Sequence, residues 1–544
     1  MSTNLKKNSP LGEKIARLVH AHFDRLPPRS KPILRDDGTR EWIPMCGVVV
    51  VREGDIVNGE EEEEELTCVA VTSGAKCLPS TQLPSCNGLV LHDWHAEILA
   101  LRAFNYWLLS EVRCLLGASA AVSDSSSGSG STESKFICRQ KEEEGGGGAP
   151  FELHPTLRIY LYCTTAPCGD ASMELTMAAQ DDPTPWELPP TPTPSTTHPT
   201  LSPSTEPEPE PSKEMNLTGR GHFSRLGIVR RKPARADAPS TLSKSCSDKL
   251  ALRQVSSLIS AEMSLLVAVT PSAYLAGVVM PAGEVSAEGV ERAFGGMGRM
   301  RPLYSSLSLP QSLSQGGEGE VNGSGSGSGY TYTPFTIHPV QTPTISSLWQ
   351  YGKPSSREEK CKPGIISAVW TAAPSPWSSS SSASANGECD VYAAQNGAKQ
   401  LPKLAGSRTG LYETIINGMK QGFKASRPVG KGASALSRAR MWGGLKDLVV
   451  SVSGAGDGIS PVREDGGAGG NEGWVRNVRE VVAAPSYAEF KRAILATPAG
   501  RARQRAIQEA KKVLVPWVPN EGDDAWGLDV LMIDNKSHGQ KRKR

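Results

Sequence analysis

The sequence has no long apolar run. None of its 544 residues lie in a stretch apolar enough to span a bilayer, and Met1-Ser-Thr-Asn-Leu-Lys-Lys7 lacks the apolar core of a signal peptide. Net charge is equally thin. With 59 basic against 57 acidic side chains the balance is +2, so no molecule-wide field draws the chain to nucleic acid or membrane. A nucleic-acid surface must then be a local patch. The 11 cysteines are odd in number and scattered, which excludes a secreted disulfide scaffold. A reduced, intracellular protein of nucleus or cytoplasm is expected, its thiols free or bound to metal. No internal repeat is found.

What is present alternates between apolar-periodic segments and low-complexity blocks. Residues 12–26 put Ile15, Leu18, Val19 and Phe23 on one helical face. Met45–Val51 and Thr67–Thr72 predict neighbouring buried strands, with the acidic run Glu60–Glu65 as a solvated loop between them. A helix carrying Leu101, Phe104, Leu108 and Val112 follows, with Asp93 as its expected N-cap. Leu157–Cys163 alternates as a strand, and the turn after it is expected to deliver Cys168 to the start of a helix at 171–177. Further expectations are a helix near 249–269, a strand near 273–280, apolar segments at 365–370 and 390–394, helices near 408–422 and 434–450, and a basic helical stretch at 486–515. Disordered insertions are expected near 118–150, 180–215, 311–329, 371–388 and 452–473, with a basic tail at 536–544.

The chemistry concentrates in three short motifs. His95 stands two residues before Glu97 at the opening of a helix, half of a hydrolytic zinc site in which the carboxylate moves protons and is not a ligand. Ala166-Pro-Cys-Gly-Asp170 and Ser245-Cys-Ser-Asp-Lys249 supply Cys168 and Cys246. Catalytic zinc usually takes three protein ligands and leaves one position for water. His95, Cys168 and Cys246 make three, and Glu97 can accept a proton from that water and return it to a leaving amine. The candidate ligands lie on both sides of two low-complexity blocks. One metal cannot be shared by independent domains, so residues 1–535 are expected to form a single catalytic domain with long surface insertions. The other cysteines in apolar strands, Cys46, Cys68 and Cys163, are expected to be small core residues, as is Cys77 nearby. Asp170 and Asp248 suit either orienting or capping roles.

Small cytidine-type deaminases place two thiolates on one Pro-Cys-x-x-Cys turn, whereas here the second position is Ala171. His-Ala-Glu, Pro-Cys-Gly-Asp and Ser-Cys-Ser-Asp-Lys, in that order, resemble the adenosine deaminases acting on RNA and their tRNA-acting relatives. The resemblance runs from the helix at 12–26 and Arg40-Glu-Trp42 to Pro516-Trp-Val518, insertions excepted. Residues 232–241 resemble the segment before the third motif in the eukaryotic tRNA-acting branch, and the long insertions are similar to those of fungal members. No double-stranded-RNA-binding domain is seen before the catalytic part. The resemblance implies a mixed α/β fold with a cytidine-deaminase-like central sheet and an extended C-terminal half. It also implies zinc-dependent conversion of adenosine to inosine, most closely at position 37 beside the anticodon of alanine tRNA. An anticodon loop is already unpaired, so presenting its base costs less than flipping one from a duplex.

The same resemblance implies a buried inositol hexakisphosphate, at positions matching Lys76, Arg102, Lys249, Lys399, Tyr487, Lys491 and Trp517. Leu101 and Leu252 stand where the editing enzymes carry arginine, leaving a less basic pocket or one completed from elsewhere, with Arg253 the candidate. His92 is not expected to be a ligand, and the helix at 501–512 suits a solvated face as well as an RNA surface. Two rivals stand beside the tRNA reading. One is the same chemistry on another RNA. The other is a non-catalytic RNA-binding scaffold with structural zinc and inositol phosphate, against which stand three ligands rather than four and an intact Glu97. No membrane or DNA partner is expected, and the sequence leaves the oligomeric state open.

Overall fold

The computed structural model describes residues 9–54, 56–57, 60–61, 63–123, 134–140, 148–179, 225–232, 239–306, 329–354, 361–374, 409–454 and 472–532. The expectations for 180–215, for most of 311–329, 371–388 and 452–473, for 390–394, for Lys399 and for the basic tail lie outside these residues.

Helix α1, Pro10–Asp24, opens on the Ser9 side chain, which accepts from the Gly12 amide, and has proline in its first turn, where an unused amide costs nothing. Its apolar positions Ile15, Val19 and Phe23 are fully buried. Strands β1 (Met45–Arg52) and β2 (Glu65–Ser73) pair antiparallel. Helix α2 (Ala96–Ser123) and strand β3 (Leu157–Cys163) follow, then helix α3 (Cys246–Ser256) and strands β4 (Leu275–Pro281) and β5 (Thr336–Val340). Strands β6 (Ile366–Ala372), β7 (Thr409–Ile416) and β8 (Met419–Lys420) complete the sheet, in the order β5-β4-β3-β1-β2-β6-β7-β8. The β5–β4 and β4–β3 pairs are parallel and the rest antiparallel.

The two long helices cover opposite faces. A Cβ on Gly47 would lie 2.6 Å from the methyls of Val19, so that face of β1 is pressed against α1. Cys46 points the other way. Its partner across the ladder, Thr72, donates its hydroxyl to the Ala96 carbonyl at 2.7 Å, where α2 begins. Helices α4 (Arg438–Gly454), α5 (Glu472–Val482), α6 (Tyr487–Ala496) and α7 (Pro498–Val513) form the C-terminal part, α4 packing on α2 and α7 on α3. Fully buried Trp442 stacks on Phe490 at 4.8 Å and 12°, a geometry that adds about 0.5–1.5 kcal/mol beyond area burial. Buried apolar residues from Ile15 to Val530 form one contiguous cluster.

The mixed α/β class and central sheet are as expected; several local expectations are not, among them the helix near 249–269, since α3 ends at Ser256. Residues 409–420 form the β7–β8 hairpin, not a helix, because Leu411, Glu413 and Ile415 alternate inward and pair with β6. Within 118–150, Ile137–Arg139 pairs with Phe151–Leu153, and α2 continues to Ser123. The acidic run is not all loop: Glu60–Glu61 pairs with Ile56–Val57, and Glu65 begins β2. Asp93 does not cap α2, which starts at Ala96; it is drawn into the interior by two lysines.

Candidate active site

His95 immediately precedes α2, its carbonyl accepting from Leu99 at 2.9 Å and its own amide donating to Asp93 Oδ1 at 3.0 Å. Cys168 follows β3. Gly169 beside it has φ +108°, and a Cβ there would fall 2.2 Å from Ser245 Oγ, so the Pro-Cys-Gly-Asp motif needs its glycine to let the third motif approach. Ser247 then joins the two: its amide and hydroxyl both donate to the Cys168 carbonyl at 3.0 Å, and the hydroxyl accepts from Ala171 at 3.2 Å.

A single turn of 3-10 helix at Asp170–Ser172 follows Cys168, and the helix there is short, Met173–Ala178. Cys246, not Cys168, opens a helix, α3. Asp170 and Asp248 both orient rather than merely cap. Asp170 accepts from Arg292 at 3.1 Å, while Asp248 accepts from the Arg230 amide at 2.9 Å and from Arg299 at 2.6 Å.

The three motifs converge. His95 Nδ1 lies 3.9 Å from Cys168 Sγ and 3.6 Å from Cys246 Sγ, all three atoms falling within 4.8 Å of one another. Tetrahedral zinc with ordinary Zn–N and Zn–S bonds separates such donors by about 3.6 Å, so the donor set fits that ion. A hydrogen bond from Cys246 holds Cys168 well below the usual thiol range against the opposing effect of burial, and Lys232 and His95 add to the lowering. Burial holds Cys246 well above it.

Glu97 is buried, Oε2 has no hydrogen-bond partner, and burial raises its pKa despite the nearby His95. It lines a cavity of roughly 540 Å³ together with His95, Cys168, Lys76 and Trp42.

Behind the three donors lies a buried charge chain. Lys232 Nζ is 3.3 Å from Cys246 Sγ and 2.9 Å from Asp93 Oδ2; Lys249 also pairs with Asp93, and Ser243 donates to it at 2.6 Å. Burial alone would lower the Lys232 ammonium, but Asp93 and the thiol sulfurs outweigh it and hold the pKa well above the usual value. Lys249 opens onto a second cavity of roughly 390 Å³. Arg102, Arg253, Arg438 and Arg503 converge on it, against the carboxylates of Asp93 and Glu262. Asp93 is committed to its lysines and Glu262 accepts from Tyr487 at 3.2 Å. Burial and Arg503 push Arg253 down to about 9. A cavity walled by mutually repelling guanidiniums favours a polyanion.

Of the residues matched to inositol phosphate, Arg102, Lys249 and Tyr487 line this cavity, and so does Arg253. Leu101 and Leu252 line it too, apolar as the sequence shows. Lys76 stands on the other cavity, with His95 and Glu97. Lys491 is at the surface, 2.8 Å from Asp524, and Trp517 lies under Lys244 and Lys511 rather than on the cavity wall. Arg438, Arg503 and His92 were not identified from sequence. Arg503 sits in the basic stretch that suited a solvated face, and no local motif marks the other two. His92 Nε2 donates to Asp523 Oδ2 at 2.8 Å, and burial pushes the His92 pKa down to about 4. Cys86, His92 and Asp523 also lie close enough to share an ion, but Arg438, 3.3 Å from His92 Nδ1 and 3.6 Å from Asp523, occupies that corner.

Residues 70–404 match the adenosine-deaminase (editase) domain. A protein of Schizosaccharomyces pombe called tRNA-specific adenosine deaminase 1 is 33% identical over 367 residues, covering 67% of this chain and 76% of its own. Its Saccharomyces cerevisiae counterpart is 33% identical over 251 residues, 46% of this chain and 54% of its own. Mouse double-stranded RNA-specific editase B2 is 33% identical over 127 residues, 23% of this chain and 14% of its own.

Proposed function

Because this chain belongs to the adenosine-deaminase (editase) family, we propose that it converts adenosine to inosine in tRNA by hydrolysis, at position 37 beside the anticodon of alanine tRNA. The observation that carries the reading is the buried carboxylate of Glu97, whose Oε2 has no hydrogen-bond partner among the described residues, on the wall of a cavity where three soft and borderline donors meet. His95, Cys168 and Cys246 would hold one zinc ion, which would supply the Lewis acidity that makes water nucleophilic near neutral pH. Glu97 takes one proton from the attacking water and gives it to the ring nitrogen beside C6 as that carbon becomes tetrahedral, then takes the second proton from the new C6 hydroxyl and delivers it to the amino group as ammonia departs. Its raised proton affinity suits both directions of transfer. Lys232 and Asp93 hold the Cys246 sulfur from behind.

Inositol hexakisphosphate is the proposed occupant of the second cavity, held by Arg102, Lys249, Arg253, Arg438, Arg503 and Tyr487. The described residues share one core and are read as one catalytic domain, acting where tRNA is processed, in nucleus or cytoplasm. Among the described residues no helix is long and apolar enough to cross a membrane.

The test is nucleoside mass spectrometry of an unmodified alanine tRNA transcript after incubation with the protein and with Glu97→Ala. Inosine after the anticodon, lost in the variant while zinc stays bound, is the expected result. Inosine at another position, or in other RNAs only, replaces the substrate; none in any RNA overturns the reaction.

A further inference from the structure

The catalytic cavity is larger than one nucleobase fills; its volume of roughly 540 Å³ is in the range that takes a whole drug-sized ligand. Its wall has two unlike parts. One part carries His95, Cys168 and the buried Glu97. The other carries Trp42, Pro363, Lys76 and the exposed Lys353. Trp42 is the one Phe, Tyr or Trp on this wall among the described residues, and Glu97 the one carboxylate, against cationic Lys76, Arg230, Arg231, Lys232 and Lys353.

The tryptophan is held rigidly by a short ribbon of its own. Arg40–Trp42 and Cys361–Pro363 pair in parallel with Trp42 opposite Pro363, and the Trp42 carbonyl accepts from Gly364 at 2.8 Å. Its neighbours Glu41 and Ile43 are buried, and the Ile43 amide donates to Tyr351 at 3.0 Å. Arg40 ties the ribbon to the Gly352 carbonyl at 2.7 Å. The flanking residues fix the backbone, leaving the half-buried indole on the cavity. The exposed Lys353 ammonium stands 5.9 Å from its ring centroid. Neither Lys353 nor Lys76 has a carboxylate partner among the described residues.

We propose that Trp42, flanked by Lys353 and Lys76, is a second subsite at the mouth of the catalytic cavity, which stacks the nucleobase adjoining the reacting adenosine and binds the phosphates on either side of it. A rigid aromatic face takes any base, and cations beside it take the backbone, the combination by which proteins bind single-stranded RNA. An exposed lysine leaves the ring for a phosphate at little cost. The subsite would hold the loop in place while one base reaches Glu97. This inference rests on the RNA-deaminase reading.

The experiment measures equilibrium binding, by fluorescence anisotropy, of an RNA stem-loop with a single loop adenosine to the full-length protein. The protein carries Glu97→Ala, so the base is not converted during titration. Trp42→Ala is expected to weaken binding about ten- to a hundredfold, and Trp42→Phe to restore most of it. An abasic nucleotide next to the adenosine, tried on the 5′ and then the 3′ side, should cost the Trp42 protein a similar factor on one side and the Trp42→Ala protein almost nothing. Effects that multiply on both sides, or a Trp42→Ala protein that binds normally, overturn the proposal. Lys353→Gln, an exposed change that leaves the indole in place, should reduce the salt dependence of binding by about one ion; an unchanged slope removes the phosphate contact. Inosine formation by protein with Glu97 intact is followed separately. A protein that shows the Trp42 coupling but makes no inosine has lost the deaminase reading and kept the subsite.

Discussion

Asp93 and Lys232 form a buried ion pair, 2.9 Å apart, between the thiol of Cys246 and the wall of the basic cavity. With Lys249 on the same carboxylate, it places the candidate metal centre and the polyanion cavity in one charge chain.

Removing one end of that chain leaves buried charge uncompensated. Asp93→Ala is expected to destabilise the fold by about 3–5 kcal/mol, and to do so more than Lys249→Ala, whose side chain is partly exposed. Denaturant titration of the two variants, with zinc content measured alongside, checks the order. Equal losses would show that Asp93 does not anchor the chain.

The cavity thiol of Cys168 should differ from the core thiols in reactivity. After chelation, Cys168, which lines the cavity and whose pKa is held well below the usual thiol value, is expected to be the first alkylated by iodoacetamide. Cys46 and Cys68, buried and with thiol pKa values raised by that burial, should stay unmodified while the protein is folded. Peptide mass spectrometry with and without added zinc reads both, and protection of Cys168 by zinc is the expected control.

Stability should fall as pH drops below neutrality. His20 and His92 are buried and held down to about 4, from an ordinary value of 6.5. The folded state keeps them neutral, whereas the unfolded chain takes up protons below about 6.5. Stability from this source is therefore full above that pH and is lost between about 6.5 and 4, amounting to roughly 3 kcal/mol per histidine. Urea titrations at pH 7.5 and 5.5 measure it. His20→Gln should flatten the slope, and a pH-independent midpoint in the parent protein would rule out buried neutral histidines.

A polyanion should stabilise the protein more than its charge alone explains. Inositol hexakisphosphate added to dialysed protein is expected to raise the melting temperature, and Arg503→Met to reduce that rise. Sulfate at matched ionic strength is the control. A shift unaffected by Arg503→Met would place the binding elsewhere.

Gly47 offers a test of the sheet–helix contact. Gly47→Ala forces a Cβ to 2.6 Å from the Val19 methyls, and is expected to cost about 1–3 kcal/mol. Val19→Ala in the same chain should recover part of this, as measured by denaturation midpoints.

The sequence by itself determined the reactive groups and their order. His95, Glu97, Cys168 and Cys246 each sit in a short motif that can be read from its own residues, at a helix start or in a glycine-bearing turn. The buried face of α1 and strands β1 to β3 were legible for the same reason, since apolar spacing is a local property. Tertiary structure decided the rest. Residues 409–420 carry strand alternation, but only pairing with β6 distinguishes them from a helix. Lys76 goes to the catalytic cavity because its carbonyl accepts from Trp94, which turns this segment along the approach to His95. Arg438 and Arg503 reach the basic cavity from the C-terminal helices, and His92 from the loop before α2. No motif marks them, because electrostatic convergence is a property of the packed chain and not of any stretch of it.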